Sequence, residues 1–96
     1  MGAYIIFIRD ETLDQHEMDV YAQKASEARG DHPITPLAFY GQAEGLEGPA
    51  AEGVVLLSFP DMAAARAWYH SPAYQAAKKH RLKGAKYRVV LTEGIA

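Results

Sequence analysis

The chain contains no cysteine, which excludes disulfides, thiolate metal sites and cysteine nucleophiles together. It also lacks any long hydrophobic run: the apolar residues 3–8 follow no basic leader, are too few for a signal-peptide core, and fall far short of the ~20 residues of a membrane span. The opening MGAYII starts as a myristoylation signal does, but Ile6 stands where Ser or Thr is required. Charge of one sign is absent too, since 10 Lys and Arg against 12 Asp and Glu leave a formal net charge of -2. This balance argues against general affinity for nucleic acid. The expectation is a cytoplasmic protein with neither nucleic-acid nor membrane partners. His16, His32, His70 and His80 show no HxH, HxxxH or HExxH spacing, so no metal site is expected. GQAEGLEG lacks the Lys-Ser/Thr ending of a phosphate-binding loop.

What is present is an ordinary globular composition, 49% hydrophobic and 23% charged over 96 residues, consistent with one domain spanning residues 1–96. A chain this short buries only about 60–65% of its unfolded surface, so a partner subunit would add usefully to its core. AYIIFIR, residues 3–9, is rich in β-branched and aromatic residues and predicts a first strand. The period then changes. In TLDQHEMDVYAQKASEARG, Met18, Tyr21, Ala22, Ala25 and Ala28 share one helical face, and either Thr12 with Gln15 or Asp14 with Glu17 offers a capping box. Gly30 and Pro33 end that helix. TPLAFYGQ, residues 35–42, predicts a strand whose Pro36 suits a sheet edge, and EGVVLLSFP, residues 52–60, predicts a buried one. The glycine-rich segment between them, AEGLEGPAAE, is long for a hairpin and is therefore mobile or functional. Asp61 caps a helix over 62–69; Ser71 followed by Pro72 repeats the start signal, predicting a second helical piece over 72–83 that ends at Gly84. KYRVVLTEG, residues 86–94, predicts the last strand.

This order, with short connections and right-handed crossovers, predicts an α+β, ferredoxin-like βαββαβ sandwich: a four-stranded, mainly antiparallel sheet with its helices on one face. The first and third strands should be central. Those two strands do not alternate as a sheet with one wet face should. Val55, Leu57 and Phe59 oppose Val54 and Leu56, and Ile5 and Phe7 oppose Tyr4, Ile6 and Ile8, so both faces are apolar. A second copy covering the free face is the simplest solution, and a homodimer through the sheet faces is expected.

FPDMAAARAWYHSPAYQAAKKHR, preceded by LEG and an apolar strand and followed by YRVVLTEG, resembles the small bacterial domain-of-unknown-function family 1330. Trp68, Tyr69, Ser71, Pro72 and Tyr74 carry its Trp-Tyr-x-Ser-Pro-x-Tyr pattern. The resemblance implies a dimeric α+β barrel, a superfamily that includes cofactor-independent monooxygenases, muconolactone-type isomerases, haem-dependent enzymes and ligand-sensing domains. It also implies a site in the cleft between helices and sheet. Haem is not expected, because the chain is short and offers no obvious proximal histidine; no cofactor is expected at all.

Tyr21, Trp68, Tyr69 and Tyr74 are the candidate walls of that cleft, their ordinary alternative being core aromatics whose polar tips find partners. The helix break at His70 would let Tyr69 and Tyr74 approach one space from two differently directed segments. His70 is the candidate base, since histidine transfers protons near neutral pH; the ordinary alternative is a solvated residue closing a helix. Arg88 and Arg81 are candidate anion stabilisers through their planar donor forks. Two readings follow. One is a small-molecule-binding enzyme, a cofactor-independent oxygenase or isomerase abstracting a proton. The other is a non-catalytic binding or sensing module.

Overall fold

In the computed structural model, which describes residues 2–95, the chain runs β1 (Ala3–Thr12), α1 (Gln15–Ala28), β2 (Thr35–Phe39), β3 (Gly53–Phe59), α2 (Met62–Tyr69), α3 (Pro72–Gly84) and β4 (Ala85–Glu93). The sheet order is β2-β3-β1-β4 with every neighbouring pair antiparallel. This is the ferredoxin-like arrangement, with β1 and β3 at its centre and Pro36 on the edge strand.

Strand lengths depart from the local reading for physical reasons. β1 runs past Arg9 to Thr12 because its pairing with β4 resumes after an irregularity between Arg9 and Glu11. β2 stops at Phe39 because Tyr40 takes a positive φ of 54°, which bends the chain out of a ladder. Of the two capping boxes offered, Asp14 is the cap used: its side chain accepts from the Glu17 backbone N–H at 3.2 Å. The box is not closed in return, because the Glu17 carboxylate sits 2.6 Å from Nδ1 of His80 on α3.

The helix break falls where the sequence places it. Asp61 caps α2, accepting from Ala64 N–H at 2.8 Å, and His70 closes it. Ser71 Oγ accepts from Tyr74 N–H at 3.2 Å and donates to the Trp68 carbonyl at 2.7 Å, so one side chain ends α2 and starts α3. The turn folds Tyr74 back on Trp68, with ring centroids 4.3 Å apart. Tyr74 and Ile5 are the largest fully buried side chains.

Helices cover only the inner sheet face, where Ile5, Phe7, Val55, Leu57 and Phe59 pack with Met18, Trp68 and Tyr74 into one core. Full burial of each such side chain contributes about 1.5–3 kcal/mol. The outer face carries Ile6, Ile8, Val54 and Leu56, all only half-buried, and Val90, 54% exposed. Among the described residues no helix is long and apolar enough to cross a membrane.

Candidate functional site

α1 packs chiefly on α3 and stands off the sheet. The close approach occurs at Gly84, whose carbonyl accepts from both Leu13 and Asp14 N–H and where an added Cβ would lie 2.8 Å from the Met18 sulfur. The far side of α1 carries Ala22 and Ala25 toward β2 and β3, and such small side chains cannot fill the gap. A cavity of ≈ 590 Å³ results between α1 and the sheet. Its walls are mainly apolar and aromatic, including Phe7, Phe39, Val55 and Leu57, with Tyr21, Tyr40 and Trp68 completing them.

Charged groups border the same space. Arg9 lies with Nε 3.3 Å from a Glu52 oxygen and its guanidinium 5.0 Å over the Tyr40 ring. That contact with Glu52 is an ion pair without an aligned hydrogen bond, since Arg9 Nε has no hydrogen-bond partner. Arg29 donates to the Ile34 carbonyl at 2.8 Å. Asp19 also lines the cavity and accepts from Gln15 at 2.9 Å. The lining thus carries Arg9, Arg29 and Asp19, with Glu52 offsetting Arg9 beside it.

Two tyrosine pairs adjoin the cavity, each through one lining member, Tyr21 or Tyr40. The Tyr21 and Tyr74 hydroxyls are 2.9 Å apart, and those of Tyr40 and Tyr87 are 2.6 Å apart. Burial, reinforced by the charge and hydrogen bond of Tyr74, holds the Tyr21 phenol far above its ordinary range. Burial does the same to Tyr40, helped by Tyr87 and opposed by Arg9; the residue as a whole is 37% exposed, but its hydroxyl is turned onto Tyr87. Tyr74 is raised by burial despite the opposing charge of Arg81. These phenols are therefore neutral hydrogen-bonding groups at physiological pH.

Arg81 lies behind the pairs. It is only 4% exposed, sits 5.3 Å over the Tyr87 ring and 5.9 Å from that of Phe7, and has an unpartnered Nε. Among the described residues no carboxylate lies within ion-pair distance of it. Although it stands at the end of the basic run KKHR, α3 turns this side chain into the core.

The residues singled out in the sequence thus divide. Tyr21 and Trp68 line the cavity, with Tyr74 and Arg81 directly behind them. Tyr69 is half-buried beside Tyr74, ring centroids 5.3 Å apart, and does not line the cavity. His70 is exposed at the end of α2 and also lies outside it, because closing the helix directs the residue away from the sheet. Arg88 is on the opposite sheet face, in register with Ile8 and clamped to Asp10 by two hydrogen bonds of 3.1 and 2.8 Å. The Asp10 bonds and charge raise its pKa, and its fork is already occupied. Sequence reading missed Arg9, Arg29 and Tyr40. The one available signal for Tyr40 was its place at the head of a long glycine-rich segment.

Among known proteins, the model of the family described as Domain of unknown function (DUF1330) matches residues 2–95. None of the curated proteins matches this chain. Among solved structures, it is similar to RPA0582, a protein of unknown function from Rhodopseudomonas palustris, with 15% identity, a TM-score of 0.74, and coverage of 99% of this chain and 83% of that one. It is similar as well to SnoaB, a cofactor-independent oxygenase from Streptomyces nogalater, with 9% identity, a TM-score of 0.66, and coverage of 99% and 94%. A dimeric protein of unknown function with a ferredoxin-like fold from Bacteroides fragilis shares 14% identity, with a TM-score of 0.60 and coverage of 97% and 96%. At such identities the likeness establishes the ferredoxin-like fold.

Proposed function

The chain belongs to the DUF1330 family, and from that footing we propose that it is a small-molecule-binding protein whose ligand site is the cavity between α1 and the sheet, one in each subunit of a homodimer. The observation that carries this reading is the cavity itself: ≈ 590 Å³, with a chiefly apolar lining and a few convergent polar groups, which is the usual form of a small-molecule site. The homodimer rests on the half-exposed apolar outer face and on the description of a similar structure as dimeric.

Proton abstraction, as in a cofactor-independent oxygenase or isomerase, needs a base within reach of the bound substrate. His70 lies outside the cavity, and the cavity tyrosines are neutral. The lining's carboxylate, Asp19, is a candidate base but already accepts from Gln15 at 2.9 Å, so the arrangement supports binding ahead of turnover. Trp68 is the chain's single tryptophan and borders the cavity, so its fluorescence reports occupancy. Titration with 2-naphthol should change it saturably, at one probe per chain, and the probe should be recovered unaltered. Ala25→Phe, which places a ring in the gap, should abolish the response while the circular dichroism stays native. A non-saturable response in the parent protein would remove the cavity as a ligand site, and chemically altered probe would restore the enzymatic reading.

A further inference from the structure

By distance alone either hydroxyl of the Tyr21–Tyr74 pair can donate; burial favours one direction. Tyr74 is fully buried, and its neighbours are the Tyr21 hydroxyl at 2.9 Å and the Arg81 guanidinium, which acts on it by charge. A guanidinium only donates. The Tyr74 proton therefore has one acceptor among the described residues, the Tyr21 oxygen. The reverse direction would bury that proton without a partner, at the cost of its desolvation. With Tyr74 donating to Tyr21, the proton of Tyr21 itself is left without an acceptor in the chain, and Tyr21 lines the cavity.

Trp68 also lines the cavity, but its unpartnered Nε1–H has no accessible surface and is turned away from that space, so the Tyr21 hydroxyl is the donor that can reach it. Arg29 adds a guanidinium to the lining, Arg9 a second one offset by Glu52, and the lining's carboxylate, Asp19, is engaged by Gln15. Buried donors without acceptors are uncommon and call for an explanation. A ligand acceptor supplies one.

We propose that Tyr74 and Arg81 are positioning residues that direct the Tyr21 O–H into the cavity, making it the donor for an anionic oxygen on an aromatic or conjugated ligand, of the phenolate or enolate class. The aromatic rings of Phe7, Phe39 and Trp68 accept the planar body, and the donor end accepts the charge. This inference rests on the cavity being a ligand site and names the chemistry of what enters it.

The test compares 4-nitrophenol, at a pH where it is ionised, with 4-nitrotoluene, which has a methyl group in place of the oxygen, each titrated against Trp68 fluorescence. The phenolate should bind at least roughly tenfold more tightly, the scale of one hydrogen bond to a charged group. Tyr21→Phe should erase most of that preference and leave 4-nitrotoluene binding unchanged. Tyr74→Phe keeps the ring and its packing but removes the group that orients Tyr21, so it should lower the preference without touching 4-nitrotoluene. The absorption band of bound 4-nitrophenolate should shift to longer wavelength in both variants, because a strong donor localises charge on the oxygen; a purely structural role would not move it. If both probes bind equally, or Tyr21→Phe retains the preference while Arg29→Gln loses it, the Tyr21 donor is overturned and the cavity reading stands. If neither probe binds, both fall.

Discussion

Ser71 caps α3 and, through the Trp68 carbonyl, also holds the end of α2. Ser71→Ala should therefore lower stability by about 0.5–2 kcal/mol, the usual worth of an N-cap. A fall in the urea midpoint at unchanged slope would show it, and an unmoved midpoint would mean that α3 starts without the cap. The buried tyrosines set a pH limit. Tyr21 and Tyr74 are held neutral by burial in the folded chain, whereas unfolding exposes them and returns them to a pKa of about 10. The unfolded state therefore loses protons first as pH rises. Their contribution is fully present below pH 10 and is lost above it, at about 1.4 kcal/mol per pH unit for each phenol that ionises only on unfolding. Unfolding midpoints measured across the alkaline range should fall, and the fall should be shallower in Tyr21→Phe; parallel slopes would contradict the neutral-core assignment.

At the scale of elements, the cavity is a consequence of how α1 is held. Its N-terminal end is drawn to α3 by the Gly84 contact and by the Glu17–His80 pair, while its alanine-bearing side faces the sheet and cannot close on it. Gly84→Ala would put a methyl group 2.8 Å from the Met18 sulfur and 3.1 Å from the Met18 backbone nitrogen. The sulfur can move aside, but the backbone cannot. The expected cost is about 1–3 kcal/mol, typical of overpacking, read as a lower midpoint in thermal unfolding. An unchanged midpoint would show that the helices separate freely. A second close approach holds Tyr40, where a Cβ on Gly53 would lie 2.6 Å from its ring. The edge strand is thus followed by a residue of positive φ, Tyr40, whose ring is set beside Arg9 and the cavity.

At the scale of the molecule, the sheet has one face served by helices and one that is not. Leu56 lies in the middle of the second, in register with Ile6 on one side and Ala38 on the other. With dimerisation through this face, Leu56→Asp should shift the protein from dimer to monomer at micromolar concentration while the helical signal in circular dichroism persists. Sedimentation velocity distinguishes the species. A parent protein that is monomeric there would leave the apolar face without its proposed cover.

Much of the fold is local and was legible without coordinates. Asp61, Ser71 and Pro72 place both helix starts because capping chemistry acts within three residues, and the apolar runs of β1 and β3 mark the central strands, each paired with a neighbour on both edges. The approach of Tyr69 to Tyr74, ring centroids 5.3 Å apart, is expected from the Ser-Pro break, whereas the closer packing of Tyr74 on Trp68 is not. What tertiary structure alone decided is direction and distance across the chain. Arg81 and Arg88 are both basic residues near a helix end or within a strand, yet one is buried among aromatic rings and the other is clamped to Asp10 on the opposite face. The site depends on the same long-range facts, since Arg9, Tyr21, Tyr40 and Tyr74 meet only after α1 has docked on α3 and β2 has joined the sheet. Sequence patterns report the face a residue occupies on its own element; which groups share a cavity depends on how those elements pack.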